Sequence, residues 1–162
     1  MTERVSNISD FLLQLDALKS VNRRTYINGG ERVENSAEHS WHLAMACWAF
    51  AELLQDNYDV PKLIKLALLH DLGEIEAGDT FLYSNNRNNV HVEERKCVEK
   101  IASHPGNSIG DIVELWEEQE AGESKEAWYL YCSWDKSGIN SFCFSLNRHI
   151  SIVKNGGCIG GV

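Results

Sequence analysis

Histidine and carboxylate side chains gather at the end of an apolar segment, LLHDLGEIEAGDT, residues 68–80. His70 and Asp71 are adjacent, and Glu74 follows His70 by four residues, so on a helix His70 and Glu74 share one face. Asp71 would lie about 100° around that helix, where an ion could take a nitrogen from His70 and an oxygen from Asp71. Carboxylates at a helix C-terminus oppose the macrodipole, and a bound cation would relieve this. The spacing favours a metal site, with a solvated helix end as the alternative.

Two glycines shape this prediction. Gly73 removes side-chain bulk beside His70 and Asp71, and Gly78 is expected to end the helix. A chain reversal at Gly78 would direct Asp79 back toward the same cavity, which would add one more carboxylate to the group.

A second histidine lies in the segment SAEHSWHLA, residues 36–44, where Ser36 is the expected helix cap. His39 falls in the first turn of this predicted helix. With His70 and Asp71 it makes a set of two histidines and one carboxylate, which suits divalent Mn, Fe, Co, Ni or Zn better than Mg or Ca. His42 lies about one turn further along and is the alternative ligand, although a packing role is expected for it.

The elements that must position these residues are predicted to be helices. Apolar residues recur at helical spacing along the chain, whereas strand-like alternation is scarce, so six helices with short loops predict an all-α bundle. Residues 137–162 mix Ser, Asn and Gly with β-branched residues and predict an irregular C-terminal segment. The expected helical segments are 6–20, capped by Ser6 or Ser9; 36–55; 59–75, capped by Asp59 with Pro61 in its first turn; 90–103; 108–122, ended by Gly122; and 124–137.

Composition limits the classes of partner. The chain has 162 residues, a net charge of −9 and 43% hydrophobic residues, which predicts one globular domain over residues 1–162. The negative charge disfavours nucleic-acid polymers as partners, and no apolar run approaches the roughly 18 residues of a membrane helix. Five widely spaced cysteines without a CxxC motif argue against a disulfide framework and favour a reducing, cytoplasmic location.

These segments together resemble the HD-domain metal-dependent phosphohydrolases, and most closely their 5′-deoxynucleotidase branch. AEHS combined with HDLGEIEAGD is the specific part of the resemblance, whereas the DK of WDK alone is weak. The resemblance covers about residues 8–136, and residues 137–162 depart from the apolar helix with which the family usually continues. The matching stretches are NRR at 22–24, ENSAEHSWHLA at 34–44, LLHDLGEIEAGD at 68–79, LWEEQEAGESKEA at 115–127 and WDK at 134–136.

The resemblance implies a first metal ion with four protein ligands. It supplies Asp135, which spacing alone does not single out from the other acids late in the chain. The implied cofactor is a divalent ion, with Mn, Co, Ni, Fe, Zn and Mg as the alternatives. The implied ligands are His39, His70, Asp71 and Asp135.

The resemblance also implies residues that act around this ion. Glu74 and Asp79 match the catalytic carboxylates of the family, and with Thr80 they are the alternative ligands of a second ion. Arg23 matches the arginine that contacts the substrate phosphate, and Arg24 is the adjacent alternative.

The implied function is that of a homodimeric 5′-nucleotidase. A metal-activated water would release phosphate from (deoxy)nucleoside 5′-monophosphates. One alternative is another phosphate ester as substrate, either a cyclic nucleotide or a guanosine polyphosphate. Another is a degenerate, non-catalytic helical dimer module, which the unusual residues 137–162 favour. The presence of Arg23, Glu74 and Asp79 argues against that module, because a purely structural ion needs none of them.

Overall fold

Helices dominate the computed structural model of the chain, which describes residues 2–54, 57–78 and 87–133. The all-α prediction is confirmed, and each of the six predicted segments contains a helix. The predicted irregular segment, residues 137–162, lies outside the described residues. The helices are α1 Thr2–Asp16, followed by a 3₁₀ turn over Ala17–Ser20, α2 Ser36–Leu54, α3 Val60–Leu69, α4 Glu74–Ala77, α5 Arg87–Ala102, α6 Ile112–Ala121 and α7 Lys125–Ser133.

A two-stranded antiparallel hairpin lies between α1 and α2, where no strand was predicted. Strand β1, Asn22–Tyr26, pairs with β2, Val33–Asn35, and the two strands have only five and three residues. The turn between them contains Gly29 and Gly30 with φ of 105° and 75°, a backbone region that glycine adopts readily. The strands are too short for alternation to be recognised, but these glycines within residues 28–30 were an available hairpin signal.

The predicted helix over residues 59–75 is interrupted at the residues of chemical interest. Helix α3 ends at Leu69, and the next hydrogen bonds close shorter rings: the N–H of Glu74 donates to the carbonyl of Asp71 at 3.0 Å. The placement of His70 and Glu74 on one continuous helix is therefore wrong. The expected end at Gly78 is confirmed, since α4 stops there and Gly78 has a φ of 75°.

Two other predicted helix ends are confirmed, and the predicted cap of the first helix is wrong. The Asp59 carboxylate caps α3 by accepting from the N–H of Lys62 at 3.0 Å, and Gly122 ends α6 with a left-handed φ of 63°. The predicted caps Ser6 and Ser9 are wrong because α1 begins earlier, at Thr2. Ser9 lies inside the helix, where its hydroxyl donates to a backbone carbonyl one turn earlier.

The apolar core forms two clusters, and Leu69 packs against both. His70 and Asp71 directly follow Leu69, so they lie where the two clusters meet. Among the described residues, none of the helices combines the length and the hydrophobicity needed to cross a lipid bilayer. One cluster contains Leu43, Ala44, Cys47, Ala51, Leu63, Leu66, Ala67, Leu115, Ala127, Tyr129 and Leu130, and the other contains Phe11, Leu18, Leu72, Cys97, Val98, Ile101, Ile112 and Trp116.

Candidate functional site

The buried face of α2 is polar in its first two turns and apolar beyond them. Ser36, His39 and Ser40 are 0%, 2% and 3% exposed, and Leu43 continues the same buried stripe. Polar residues are rarely this buried unless they have hydrogen-bonding or metal partners. The N-terminal end of α2 therefore directs polar groups into the protein interior.

The cap of α2 is Asn35 rather than the predicted Ser36. The side chain of Asn35 accepts from the N–H of Glu38 at 3.0 Å, and the Glu38 carboxylate accepts from the N–H of Asn35 at 3.3 Å. This is a reciprocal capping box. Ser36 is the first helical residue, and its hydroxyl instead donates to Oε2 of Glu74 at 2.6 Å.

Helix α3 supplies the other half of the site through its buried stripe. Leu63, Leu66 and Ala67 are fully buried on α3, and His70 follows on the same stripe just past the helix end. The imidazole centroids of His39 and His70 lie 5.4 Å apart. The N-terminal end of α2 thus meets the C-terminal end of α3, and the polar ends of the two stripes face each other.

His39, His70 and Asp71 come together into a group whose ligand atoms lie within 4.8 Å of one another. His70 Nε2 lies 2.9 Å from Asp71 Oδ1, yet this buried nitrogen has no partner with hydrogen-bond geometry among the described residues. Two imidazole nitrogens and a carboxylate oxygen form a donor set typical of divalent transition metals. The residues present therefore fit a divalent ion.

Each histidine is anchored through Nδ1. His70 Nδ1 lies 2.8 Å from the carbonyl of Ala67 in α3, and His39 Nδ1 lies 3.1 Å from Oε2 of Glu34 on β2. An anchored Nδ1 orients the imidazole ring. Glu34 was not singled out in the sequence, although it begins the segment ENSAEHS; without the hairpin nothing indicated that it contacts His39.

Burial and neighbouring charges set the protonation of the group. Burial lowers the pKa of His39 to about 4, although Glu34 opposes this, so His39 is neutral at pH 7. Burial raises the pKa of Asp71, but the His70 and Arg23 charges outweigh it and hold that pKa well below its usual range. Burial lowers the pKa of His70, and the Asp71 carboxylate more than offsets this, so the pKa of His70 is raised overall.

Strand alternation separates the two candidate arginines. Arg23 and Thr25 are half-buried on one face of β1, whereas Arg24 lies on the opposite, exposed face. Arg23 Nη1 donates to Asp71 Oδ2 at 2.8 Å, and its Nε lies 4.0 Å from Oε2 of Glu34. The structure therefore brings Arg23, the first choice from the sequence, to the edge of the histidine–aspartate group.

The remaining sequence candidates fall into two classes. Glu74 is described, lies outside the 4.8 Å group and is held at its rim by Ser36. His42, the alternative ligand, is also outside the group, and its ring stacks on Trp41 with centroids 6.3 Å apart. The other three lie outside the described residues: Asp79, Thr80 and Asp135.

Gly73 permits a close approach, but not the one predicted. A Cβ atom at Gly73 would lie 2.5 Å from Cβ and 2.9 Å from Cα of Glu94 on α5. The space that the glycine leaves is therefore filled by helix α5 rather than kept open beside His70 and Asp71.

A second group of ligand-type side chains lies between α5 and α6 at His91, Glu94 and Glu120. The His91 ring stacks on buried Trp116 at 5.2 Å between centroids, and its Nδ1 lies 3.4 Å from Glu120 Oε2. The side chains of His91 and Glu120 are 45% and 33% exposed, and exposed acidic groups are common without an ion. We assign it no chemistry.

Known proteins resemble this chain along most of its length. A family model described as the HD domain matches residues 15–143. The 5′-deoxynucleotidase HDDC2 of Dictyostelium discoideum is 30% identical over 131 residues, which cover 76% of this chain and 69% of that protein. The human 5′-deoxynucleotidase HDDC2 is 26% identical over 127 residues, which cover 76% of this chain and 61% of that protein.

Solved structures agree in fold. A predicted metal-dependent phosphohydrolase from Magnetospirillum magnetotacticum matches with a TM-score of 0.68 and 31% identity, over 78% of this chain and 64% of its own. A conserved hypothetical protein from Pyrococcus furiosus matches with a TM-score of 0.58 over 90% of this chain and 98% of its own, and at 24% identity it supports the fold alone. This chain spans less than two thirds of the human relative and of the Magnetospirillum protein. Because the family model covers most of its residues, the chain belongs to the HD-domain family.

Proposed function

We propose that this chain is a metal-dependent phosphohydrolase that releases phosphate from nucleoside 5′-monophosphates, with deoxynucleotides preferred. The observation that carries the proposal is the convergence of His39, His70 and Asp71 within 4.8 Å, with Arg23 bonded to Asp71 at the rim. The 5′-deoxynucleotidase names of the curated relatives support the choice of substrate.

The three clustered residues would hold a divalent ion, with Asp135 as the proposed fourth ligand. Their nitrogen and oxygen donors suit Mn, Fe, Co, Ni or Zn, and Mg is the weaker candidate. When bound, such an ion supplies Lewis acidity that makes a water nucleophilic near neutral pH.

The residues around the ion account for the rest of the hydrolysis. A bond forms between the water oxygen and phosphorus, the bond from phosphorus to the 5′-oxygen breaks, and the products are nucleoside and phosphate. The Arg23 guanidinium carries five N–H donors, so it can contact Asp71 and still donate to phosphoryl oxygens. This offsets the charge that develops on those oxygens.

Carboxylates at the rim would move the protons. Glu74, oriented by the Ser36 hydroxyl at 2.6 Å, would take the proton of the attacking water or give one to the leaving 5′-oxygen. Asp79 is proposed to share this role, and Glu74, Asp79 and Thr80 form the proposed site for a second ion.

The assembly is proposed to be a cytoplasmic homodimer that binds small nucleotides. Helix α2 exposes Trp41, Met45 and Trp48 in one stripe at helical spacing, with exposed fractions of 63%, 44% and 46%. Contiguous apolar surface of this kind is typical of protein interfaces, and a second copy of the chain would cover it. The net charge of −9 disfavours nucleic-acid polymers.

The test is phosphate release from a panel of ribo- and deoxynucleoside 5′-monophosphates, after EDTA stripping and re-addition of Mn, Co, Ni, Zn or Mg. Metal-dependent release is expected from the unaltered protein and none from Asp71→Asn, which removes a ligand charge. Asp111→Asn is the control, because this exposed carboxylate pairs with Lys65 at 3.2 Å on the surface.

Two outcomes would contradict the proposal in different ways. Release from cyclic nucleotides or guanosine polyphosphates alone would keep the chemistry and replace the substrate. Absence of release from every phosphate ester, with metal bound by elemental analysis, would favour a non-catalytic helical module. In that case the His70→Ala protein would still bind the partner of this non-catalytic module.

A further inference from the structure

We infer that Glu34 is a positioning residue that prepares His39 for ion binding by keeping the imidazole proton on Nδ1. The inference rests on the proposed metal centre and adds to it a residue that takes no part in the hydrolysis outlined above. Glu34 lies on β2 and contacts the ring of His39 rather than the ion position itself.

The contact sets the direction of the hydrogen bond. Glu34 Oε2 lies 3.1 Å from His39 Nδ1, and an ionised carboxylate can only accept. Nδ1 must therefore be the donor. A neutral imidazole carries a single N–H, so its lone pair is on Nε2 and is available to a metal ion.

The hydrogen bond between Glu34 and His39 is shielded from water. The side chain of His39 is 3% exposed and that of Glu34 is 16% exposed, so little water competes for the hydrogen bond between them. The pKa of Glu34 is lowered, mainly by its hydrogen bond with His39, which keeps this carboxylate ionised and accepting. A metal ion binds a ring nitrogen only through a bare lone pair, so the position of the remaining proton on Nδ1 decides whether Nε2 of His39 can be a ligand.

The hairpin holds the carboxylate in place. The Thr25 hydroxyl on β1 donates to Glu34 Oε2 at 3.2 Å, and Arg23 Nε lies 4.0 Å from the same oxygen. The two strands thus bring both Glu34 and Arg23 to the ends of α2 and α3. This gives the hairpin a function in an otherwise helical domain.

The first experiment observes the unaltered protein and uses one variant only to assign its signals. Long-range ¹H–¹⁵N correlation spectra of the ion-free protein at pH 7 distinguish the two neutral tautomers of each histidine, and loss of one signal set in His39→Gln assigns the residue. We expect the Nδ1–H form for His39. The Nε2–H form in the unaltered protein would overturn the inference.

The second experiment is titration of ion-free Glu34→Gln with Mn²⁺ or Ni²⁺ by calorimetry. The Gln amide can donate to Nδ1 and favour the Nε2–H tautomer, so we expect the affinity to fall about 10- to 100-fold and the spectrum to shift toward Nε2–H. Unchanged affinity and tautomer would contradict the inference.

Glu38→Gln is the matched control. Glu38 immediately precedes His39 but pairs with Arg32 through two hydrogen bonds of 2.8 and 2.7 Å, and a glutamine at this position can still accept from the N–H of Asn35 in the capping box. The Glu38→Gln protein should bind the ion as tightly as the unaltered protein does. If Glu38→Gln lost as much affinity as Glu34→Gln, the cause would be a general charge effect, and the inference would be overturned. None of these measurements uses turnover, so they can succeed even if no nucleotide is hydrolysed.

Discussion

At the residue scale, His39 and His70 are each oriented by a contact at Nδ1, but the contacting group differs. Each is anchored through Nδ1, and each would bind the proposed ion through the lone pair of Nε2. His70 uses the carbonyl of Ala67 within its own chain segment, which is available wherever a helix ends in this way. His39 uses a side chain from a separate strand, Glu34. Both contacts are short in sequence, three residues for His70 and five for His39, but that of His39 also requires the strand β2 that places Glu34.

The buried neutral state of His39 predicts a pH dependence of stability in the ion-free protein. Its folded pKa of about 4 lies below its unfolded value of 6.5, so between these pH values the unfolded chain binds more protons. The contribution of His39 to the free energy of unfolding should therefore fall as the pH is lowered from 6.5 to 4, by about 3 kcal/mol at most, and the carboxylates of Asp71 and Glu34, whose pKa values are lowered, add their own losses at the acidic end. Urea unfolding at a series of pH values measures this.

His39→Gln is the control, because it removes the titrating group. Its free energy of unfolding should depend less on pH between 4 and 6.5, and an equal dependence in both proteins would contradict the assignment. The raised pKa of His70 acts above pH 6.5, where its contribution to stability is lost as the pH rises. It therefore does not obscure the acidic window.

At the element scale, a tight turn rather than a long helix positions His70 and Asp71. Helix α3 ends at Leu69, and the turn is closed by short-range hydrogen bonds before α4 begins at Glu74. The turn lies directly on helix α5, since Gly73 leaves no room for a Cβ atom against Glu94. The position of His70 and Asp71 therefore depends on how closely α5 approaches.

Gly73→Ala should destabilise the protein and displace this turn. The new Cβ atom would lie 2.5 and 2.9 Å from atoms of Glu94, one of which is backbone, so α5 or the turn must shift. Overpacking of this kind typically costs about 1–3 kcal/mol. Urea unfolding measures the loss, and a reduced metal affinity should accompany it.

Gly110→Ala serves as the control for the same chemical change. A Cβ atom at Gly110 would meet nothing within 4 Å, and no positive φ is required there. Its free energy of unfolding should be unchanged or slightly increased, because alanine restricts the unfolded chain. Equal destabilisation by both substitutions would show that close packing at Gly73 is not the cause.

At the scale of the whole molecule, helices α1 and α2 each expose several apolar side chains. Helix α2 exposes the stripe that begins at Trp41, although its other face lies in the core. Helix α1 also exposes Val5, Ile8 and Leu12. A second copy of the chain would give this surface a partner.

Met45→Glu should therefore weaken the proposed homodimer, because it places a charge in the middle of the α2 stripe. Sedimentation velocity at several concentrations measures the change from dimer to monomer. Leu53→Glu is the control: it changes an exposed apolar residue on the same helix, 68% exposed, that lies off the stripe. A monomeric unaltered protein, or equal dissociation of both variants, would contradict the proposed interface.

The sequence by itself determined the helical class and most of the clustered residues. Helical periodicity extends over many residues, so it identified the helices, and the unusual histidine–aspartate pair at the end of an apolar stripe indicated a metal site. Local chemistry also predicted the Asp59 cap and the end of α4 at Gly78, because each depends only on its immediate neighbours.

Only the tertiary structure decided how these residues meet. The turn after Leu69 depends on the approach of α5, which is distant in sequence. The hairpin has strands of only three to five residues, and it is the hairpin that brings Glu34 to His39 five residues further along the chain. Such short elements are stabilised by what they pack against rather than by their own propensity. The choice of Arg23 over Arg24 followed for the same reason, since it depends on which face of β1 is turned toward α2 and α3.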